Sequence, residues 1–308
     1  MKLVKKFESI LEPVEPYYRL DLTGAAYSFS WQYDGKYVKA IVSKDPVCVA
    51  VCKQINTKVS VQYFIEEGKN IEKSILDEHL IHVLGLSEDL SEFYELCKKD
   101  PLLKLADAIR GIHLRAADPW TAFLIAVSQQ NASFKQGWSM LYRLYTSLGT
   151  RVYLQELSQT YILPPRPEDI LKMGEKALQD CGYGYRARII LETAKRVVEN
   201  PDKDFRQIIR NVKGVGPYTY GLTCVIAYRD YTQPVIDRWV RGLYEQVNIK
   251  NVEHYFKTYW KNYQGLVTWF LTILLDAEPL SRAIQRIKKG ELKPKQTGLT
   301  PLTMWKHW

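Results

Sequence analysis

The residues of this 308-residue chain best suited to chemistry lie between Asp204 and Gln246. Within that stretch, Lys213-Gly214-Val215-Gly216-Pro217 reads as a tight turn between two helices. Phe205, Ile208, Ile209 and Val212 form one apolar face of the first helix, and Pro217 suits the opening turn of the second. Backbone amides at such a turn lack intrahelical partners and sit at the positive end of a helix dipole, a combination that attracts phosphate. Asp237 comes 21 residues after Gly216, following Val235 and Ile236 at the start of another helix. Read alone, it is an N-cap. Beside an anion-binding turn, it becomes the leading candidate for a catalytic carboxylate. The remaining candidates are weaker. His79 and His82 lie three apart on a helix and could in principle share a metal, but a solvated or core pair is the better reading. Cys48 and Cys52 form a lone C-x3-C pair, while Cys97, Cys181 and Cys224 are scattered, so the five read as reduced buried thiols. No G-x-G-x-x-G or P-loop is present.

The elements that must position these residues fall into two textures. Up to about residue 70, short β-branched and aromatic runs predict antiparallel strands: 17–24, 27–35, 36–43, 47–54 and 58–67, with Asp34-Gly35 as a hairpin turn. From Ile71 onward, apolar residues recur at three- and four-residue spacing and predict a helical array, with Asp118-Pro119 and Pro167-Glu168-Asp169 as helix starts. The expected fold is α+β. A small N-terminal antiparallel β domain with flanking helices (1–105) precedes a mainly α-helical core (106–308), with the helix–turn–helix at about 204–229. The basic tail after residue 286, with Trp305 and Trp308, reads as a solvated end or a nucleic-acid arm.

Charge narrows the class of partner. Forty-three Lys and Arg against 34 Asp and Glu give +9, which favours an anionic partner such as nucleic acid. No apolar run is long enough to span a bilayer, and the N-terminus lacks a signal-peptide pattern, so a cytoplasmic, nucleoid-associated or nuclear protein is expected rather than a secreted or membrane one.

With Lys213-Gly214-Val215-Gly216-Pro217 and Asp237 in place, the chain resembles the helix-hairpin-helix DNA glycosylases. In that family a glycine hairpin is followed about twenty residues later by the catalytic Asp. Asp118-Pro119 leading to Ser128-Gln129-Gln130-Asn131 resembles the family's helix and duplex-probing loop. Gly182-Tyr183-Gly184-Tyr185-Arg186-Ala187 resembles an element of the 8-oxoguanine branch, and the N-terminal strands fall where that branch and the 3-methyladenine glycosylase II branch carry a β domain.

The resemblance implies a base-excision enzyme acting on double-stranded DNA that contains a damaged base, and a monomer is expected. Asp237 would stabilise the oxocarbenium character that develops on the sugar as the base leaves. Lys213, Gly214, Val215 and Gly216 would hold phosphates, Asn131 would fill the vacated stack, and Tyr185 and Arg186 would lie near the orphaned base. A monovalent cation held by carbonyls between Arg210 and Val215 is implied. No redox cofactor or catalytic metal is.

The chain also departs from the pattern. Tyr218 stands where strand-cutting members carry a Schiff-base lysine, which implies a monofunctional enzyme. No cysteine follows Cys224, so the iron–sulfur branch does not fit. Thr268, Thr272 and Trp239 occupy positions where the 8-oxoguanine branch has Gln, Phe and His. Tyr218, Trp239 and Trp269 remain as an aromatic base pocket, suited to an alkylated or deaminated purine. The alternatives are an 8-oxoguanine-type enzyme with residual lyase activity and a non-catalytic helix-hairpin-helix DNA-binding protein.

Overall fold

The structure, a computed structural model, describes residues 1–308. Strand β1 (Lys2–Leu11) pairs antiparallel with β4 (Lys58–Glu66), β4 with β3 (Val47–Ile55), and β3 with β2 (Val38–Lys44). A hairpin of β5 (Thr150–Leu154) and β6 (Gln159–Leu163) joins the free edge of β1 by a short parallel pairing at Lys2 and Leu3. The sheet order is therefore β2-β3-β4-β1-β5-β6. The first helices are α1 (Leu20–Ala25), α2 (Lys73–Leu84), α3 (Ser91–Lys99), α4 (Pro119–Gln129), α5 (Phe134–Leu148), α6 (Pro167–Asp180) and α7 (Arg186–Glu199). They are followed by α8 (Phe205–Arg210), α9 (Pro217–Tyr228), α10 (Arg238–Glu245), α11 (Val252–Tyr255), α12 (Gln264–Leu274) and α13 (Leu280–Lys289). The architecture is α+β, as expected.

Strand β3 shows why the sheet packs on both sides. Its Cys48, Ala50 and Cys52 face Leu76, Leu80 and Leu84 of α2, while Val47, Val49 and Val51 face the opposite side with Val152, Leu154 and Tyr161 of β5–β6. A strand covered on both faces is continuously apolar rather than alternating. All five cysteines are free and buried.

Several local expectations are corrected. Residues 20–25, read as strand, form the short helix α1, whose Leu20, Thr23, Gly24 and Ala25 are buried. Residues 27–33 form turns, beginning with Tyr27 in the left-handed region (φ 53°), which ends any extended run. The Asp34-Gly35 turn closes only an isolated bridge between Tyr33 and Val38. Conversely, β1, β5 and β6 were not foreseen. Three lysines and Glu8 interrupt β1, and β5 and β6 are five-residue runs between helices, too short for their alternation to stand out. The end of the C-terminal tail is packed rather than frayed. Leu302 and Met304 are buried, Trp305 packs edge-on against Tyr33 with ring centroids 4.9 Å apart, and Trp308 accepts the Ser30 amide through its carbonyl. No helix is long and apolar enough to cross a membrane.

Candidate active site

Helix α8, the turn 211–216 and α9 form the expected helix-hairpin-helix. Gly214 adopts φ +98°, and a Cβ there would come within 2.8 Å of Ile189, so this position demands glycine. Gly216 caps α9 at φ −95° with open space where a Cβ would be. The amides of Gly214 and Gly216 donate to no group of the protein, and both residues are exposed, as is Lys213, with Val215 half-buried. The carbonyls of Asn211 and Gly214 are taken by the Arg196 and Gln130 side chains, and that of Val212 by the Val215 amide. Those of Arg210, Lys213 and Val215 accept no hydrogen bond from the protein. A set of backbone oxygens suits a hard cation, so these residues fit the implied monovalent ion.

The loop after α4 is tied to this hairpin. Asp118 caps α4 by accepting the Thr121 amide at 3.2 Å, with Pro119 in the first turn, and the helix ends at Gln129. Gln130 then donates to the Gly214 carbonyl and accepts from the Thr219 hydroxyl, both at 3.2 Å. Asn131 follows, exposed and left-handed at φ 49°, its amide 3.4 Å from the Tyr185 hydroxyl. Tyr185 is 55% exposed, whereas Arg186 is 6% exposed. The Arg186 guanidinium donates to the Gln130 carbonyl at 3.0 and 2.5 Å and to the Asn131 carbonyl at 3.2 Å, and it lies 4.7 Å from the Tyr185 ring centroid. The resemblance places Arg186 near the orphaned base, but its side chain is buried. In the fold, Arg186 fastens the loop after α4 from beneath, because its neighbours on α7, Ala187, Ile189 and Ile190, anchor that face in the core.

Asp237 lies on the wall of a cleft of about 1320 Å³. It caps α10, with Oδ1 accepting the Val240 amide at 2.8 Å. Burial raises its carboxyl above the ordinary aspartate range, outweighing the lowering effect of backbone hydrogen bonds. The cleft also holds Tyr218, Trp239 and Trp269, so all three expected pocket residues converge with the acid. Tyr218 is half-buried, and desolvation, followed by the nearby Asp237 charge, pushes its hydroxyl above the ordinary tyrosine range. The Trp239 indole donates to the Glu278 carbonyl at 2.8 Å.

Sequence reasoning missed half of the aromatic wall. Tyr27 stacks on Trp138 (5.4 Å, 26°) and tilts against Trp269 (6.4 Å), with Phe134 closing the side at 6.1 Å. Its hydroxyl is hydrogen-bonded to that of Thr272, and the Thr268 hydroxyl donates to the Val235 carbonyl at 2.9 Å. Both threonines thus hold pocket elements in place. Tyr27 lies in the turn between α1 and β2, and Trp138 sits mid-helix on α5. No local pattern distinguishes them from core aromatics. His79 and His82 line a distant part of the cleft and bond separately to the Val42 and Ala227 carbonyls, each at 3.0 Å.

No model of a known protein family matches the chain. A probable N-glycosylase/DNA lyase of Methanothermobacter thermautotrophicus is 23% identical over an aligned length of 212, covering 58% of this chain and 66% of the relative. The N-glycosylase/DNA lyase of Saccharomyces cerevisiae is 21% identical over 230, covering 66% and 60%. The match thus spans a little under two thirds of these curated relatives. Among solved structures, the 3-methyladenine DNA glycosylase of Archaeoglobus fulgidus superposes with a TM-score of 0.69 at 17% identity, covering 85% of this chain and 96% of its own. The 8-oxoguanine glycosylase/lyase of Clostridium acetobutylicum gives 0.66 at 17% identity, covering 88% and 98%. The fold is that of these glycosylases, and the resemblance extends to both the 8-oxoguanine and the 3-methyladenine branches.

Proposed function

We propose that this chain is a DNA glycosylase that flips a damaged purine from double-stranded DNA into the aromatic cleft and breaks its N-glycosidic bond. The observation that carries this reading is the convergence, at one cleft, of the half-buried Asp237 with Tyr27, Trp138, Trp239 and Trp269. The names of the relatives and structural neighbours support it. In this mechanism the hairpin amides of Gly214 and Gly216 and the Lys213 ammonium grip phosphates, and the carbonyls of Arg210, Lys213 and Val215 would hold a monovalent cation that adds positive charge there. Asn131 enters the space left by the flipped nucleotide, Tyr185 lies against the orphaned base, and Arg186 holds their loop rigid. The Asp237 carboxylate, in a site of low polarity, stabilises positive charge on the deoxyribose as the bond lengthens, and water completes the displacement.

Tyr218 favours a monofunctional enzyme, since a phenol cannot form the Schiff base on which strand cleavage depends. The aromatic lining suits an alkylated or deaminated purine, whose base either leaves easily or stacks well. A second reading, an 8-oxoguanine-type enzyme with lyase activity, is favoured by the lyase designation of both curated relatives. Labelled duplexes carrying hypoxanthine, 7-methylguanine, 3-methyladenine or 8-oxoguanine, incubated with and without hot alkali, separate the two. Cleavage only after alkali is the expected result. Cleavage without alkali, trapped by borohydride, establishes the lyase instead.

A further inference from the structure

The cleft is larger than one base requires, since about 300–1000 Å³ accommodates a whole drug-sized ligand. Beyond the aromatic wall it is lined by Arg115, Lys39, Lys44, Tyr145 and Tyr161. These cations are not equivalent. Lys39 is paired with Asp34 at 2.5 Å and Lys44 with Asp118 at 2.8 Å, whereas Arg115 has no carboxylate partner. One Arg115 nitrogen donates to the carbonyls of Ala26 and Tyr27, both at 3.3 Å, and to the Ser28 hydroxyl at 2.6 Å. Its Nε is buried without a partner, and its other terminal nitrogen makes no hydrogen bond. The hydroxyl of Tyr145, a residue only 3% exposed, likewise has no partner. Guanidinium stays charged at any accessible pH, and a buried cation without a counter-charge carries a large desolvation cost. Such an arrangement is relieved by a ligand that brings acceptor oxygens.

Arg115 reaches this position through Tyr27, whose carbonyl it holds and whose ring forms the aromatic wall. We infer that Arg115 is a specificity-determining residue of the cleft. It selects neutral damaged purines bearing exocyclic carbonyl oxygens, deaminated or oxidised, over cationic alkylated purines. The inference rests on the cleft being the base pocket. A carbonyl facing Arg115 and Tyr145 accepts charge-assisted hydrogen bonds. A methylated purine cation bound about 6 Å from Arg115 would meet a like charge that no carboxylate pairs, and at an effective dielectric of about 20 that repulsion alone corresponds to discrimination on the order of a hundredfold.

The test compares single-turnover base release from duplexes carrying hypoxanthine (neutral) and 7-methylguanine (cationic). Wild type is expected to favour hypoxanthine. Arg115→Met should lower the hypoxanthine to 7-methylguanine ratio by about 10- to 100-fold, and Arg115→Lys, which keeps the charge, should restore most of it. A merely structural loss slows both substrates together and leaves the ratio unchanged. An unchanged ratio in Arg115→Met, or a wild-type preference for 7-methylguanine, overturns the inference. Binding of free hypoxanthine, followed by quenching of tryptophan fluorescence, supplies a readout that does not need turnover. Saturable quenching in wild type that disappears in Arg115→Met supports the inference, and no difference between the two overturns it. If quenching behaves as expected but neither duplex releases base, the glycosylase reading fails and the selectivity of the pocket stands.

Discussion

The hairpin surface and the aromatic cleft are neighbours built on opposite principles. At the hairpin the working groups are backbone amides of exposed glycines, and the side chains around them, Gln130 and Arg186, are spent on holding loops together. In the cleft the working groups are side chains drawn from α4–α5, α9, α10 and α12, and aromatic rings line one wall. An exposed amide array grips any phosphate and gives salt-dependent affinity without regard to the base. A dry, shaped cleft strengthens every electrostatic contact inside it and discriminates among bases. Grip and chemistry should therefore be separable by substitution.

The sharpest break falls on Asp237. Asp237→Asn keeps a competent helix cap while removing the charge, so base release should fall by about 10³-fold with duplex affinity within about twofold of wild type, measured by single-turnover kinetics and fluorescence anisotropy. A comparable loss of affinity would erase the distinction between the two regions. Next comes the wall. Trp269→Leu should slow base release by about 10- to 100-fold, the worth of one stacked ring, and leave the salt dependence of binding unchanged. Gly216→Ala probes the other side. Because a Cβ at 216 meets nothing in the protein, the fold should tolerate it, and its cost should appear only when a phosphate approaches. We expect affinity to drop about tenfold, with the salt slope reduced by about one and base release at saturation near wild type.

Two smaller effects concern the raised carboxyl of Asp237. The carboxylate is the active form, so base release should decline as pH falls through a midpoint above the ordinary aspartate value, and the residual rate of Asp237→Asn should lack that limb. Stability runs the other way. A folded-state pKa above the unfolded one means the native state binds this proton more tightly, so ionisation at neutral pH costs stability, whereas below the unfolded value that cost is absent. Asp237→Asn should therefore show a slight rise in Tm at pH 7 that vanishes near pH 3, measured by calorimetry.

Asp276, lining the same cleft, shows what a merely structural acid looks like. It too is raised by burial, but it is bound to Arg286 at 2.6 Å and to the Lys295 amide at 3.0 Å. Asp237 has no such cation bonded to it. That contrast cannot be read from the sequence, where both are aspartates near the ends of apolar runs.

What the sequence determined by itself was local. Lys213 to Pro217 favours a tight turn with free amides, Asp118-Pro119 suits a helix start, and Val235-Ile236-Asp237 suits a helix cap, because backbone conformation depends chiefly on adjacent residues. The β-branched and aromatic runs 47–54 and 58–67 likewise declared β3 and β4. Tertiary structure decided the rest. It recruited Tyr27, Phe134 and Trp138 to the wall, turned Arg186 inward, closed β5 and β6 onto β1, and left Arg115 without a counter-charge. Each of these outcomes depends on which distant side chain fills a given space, and no spacing along the chain records that.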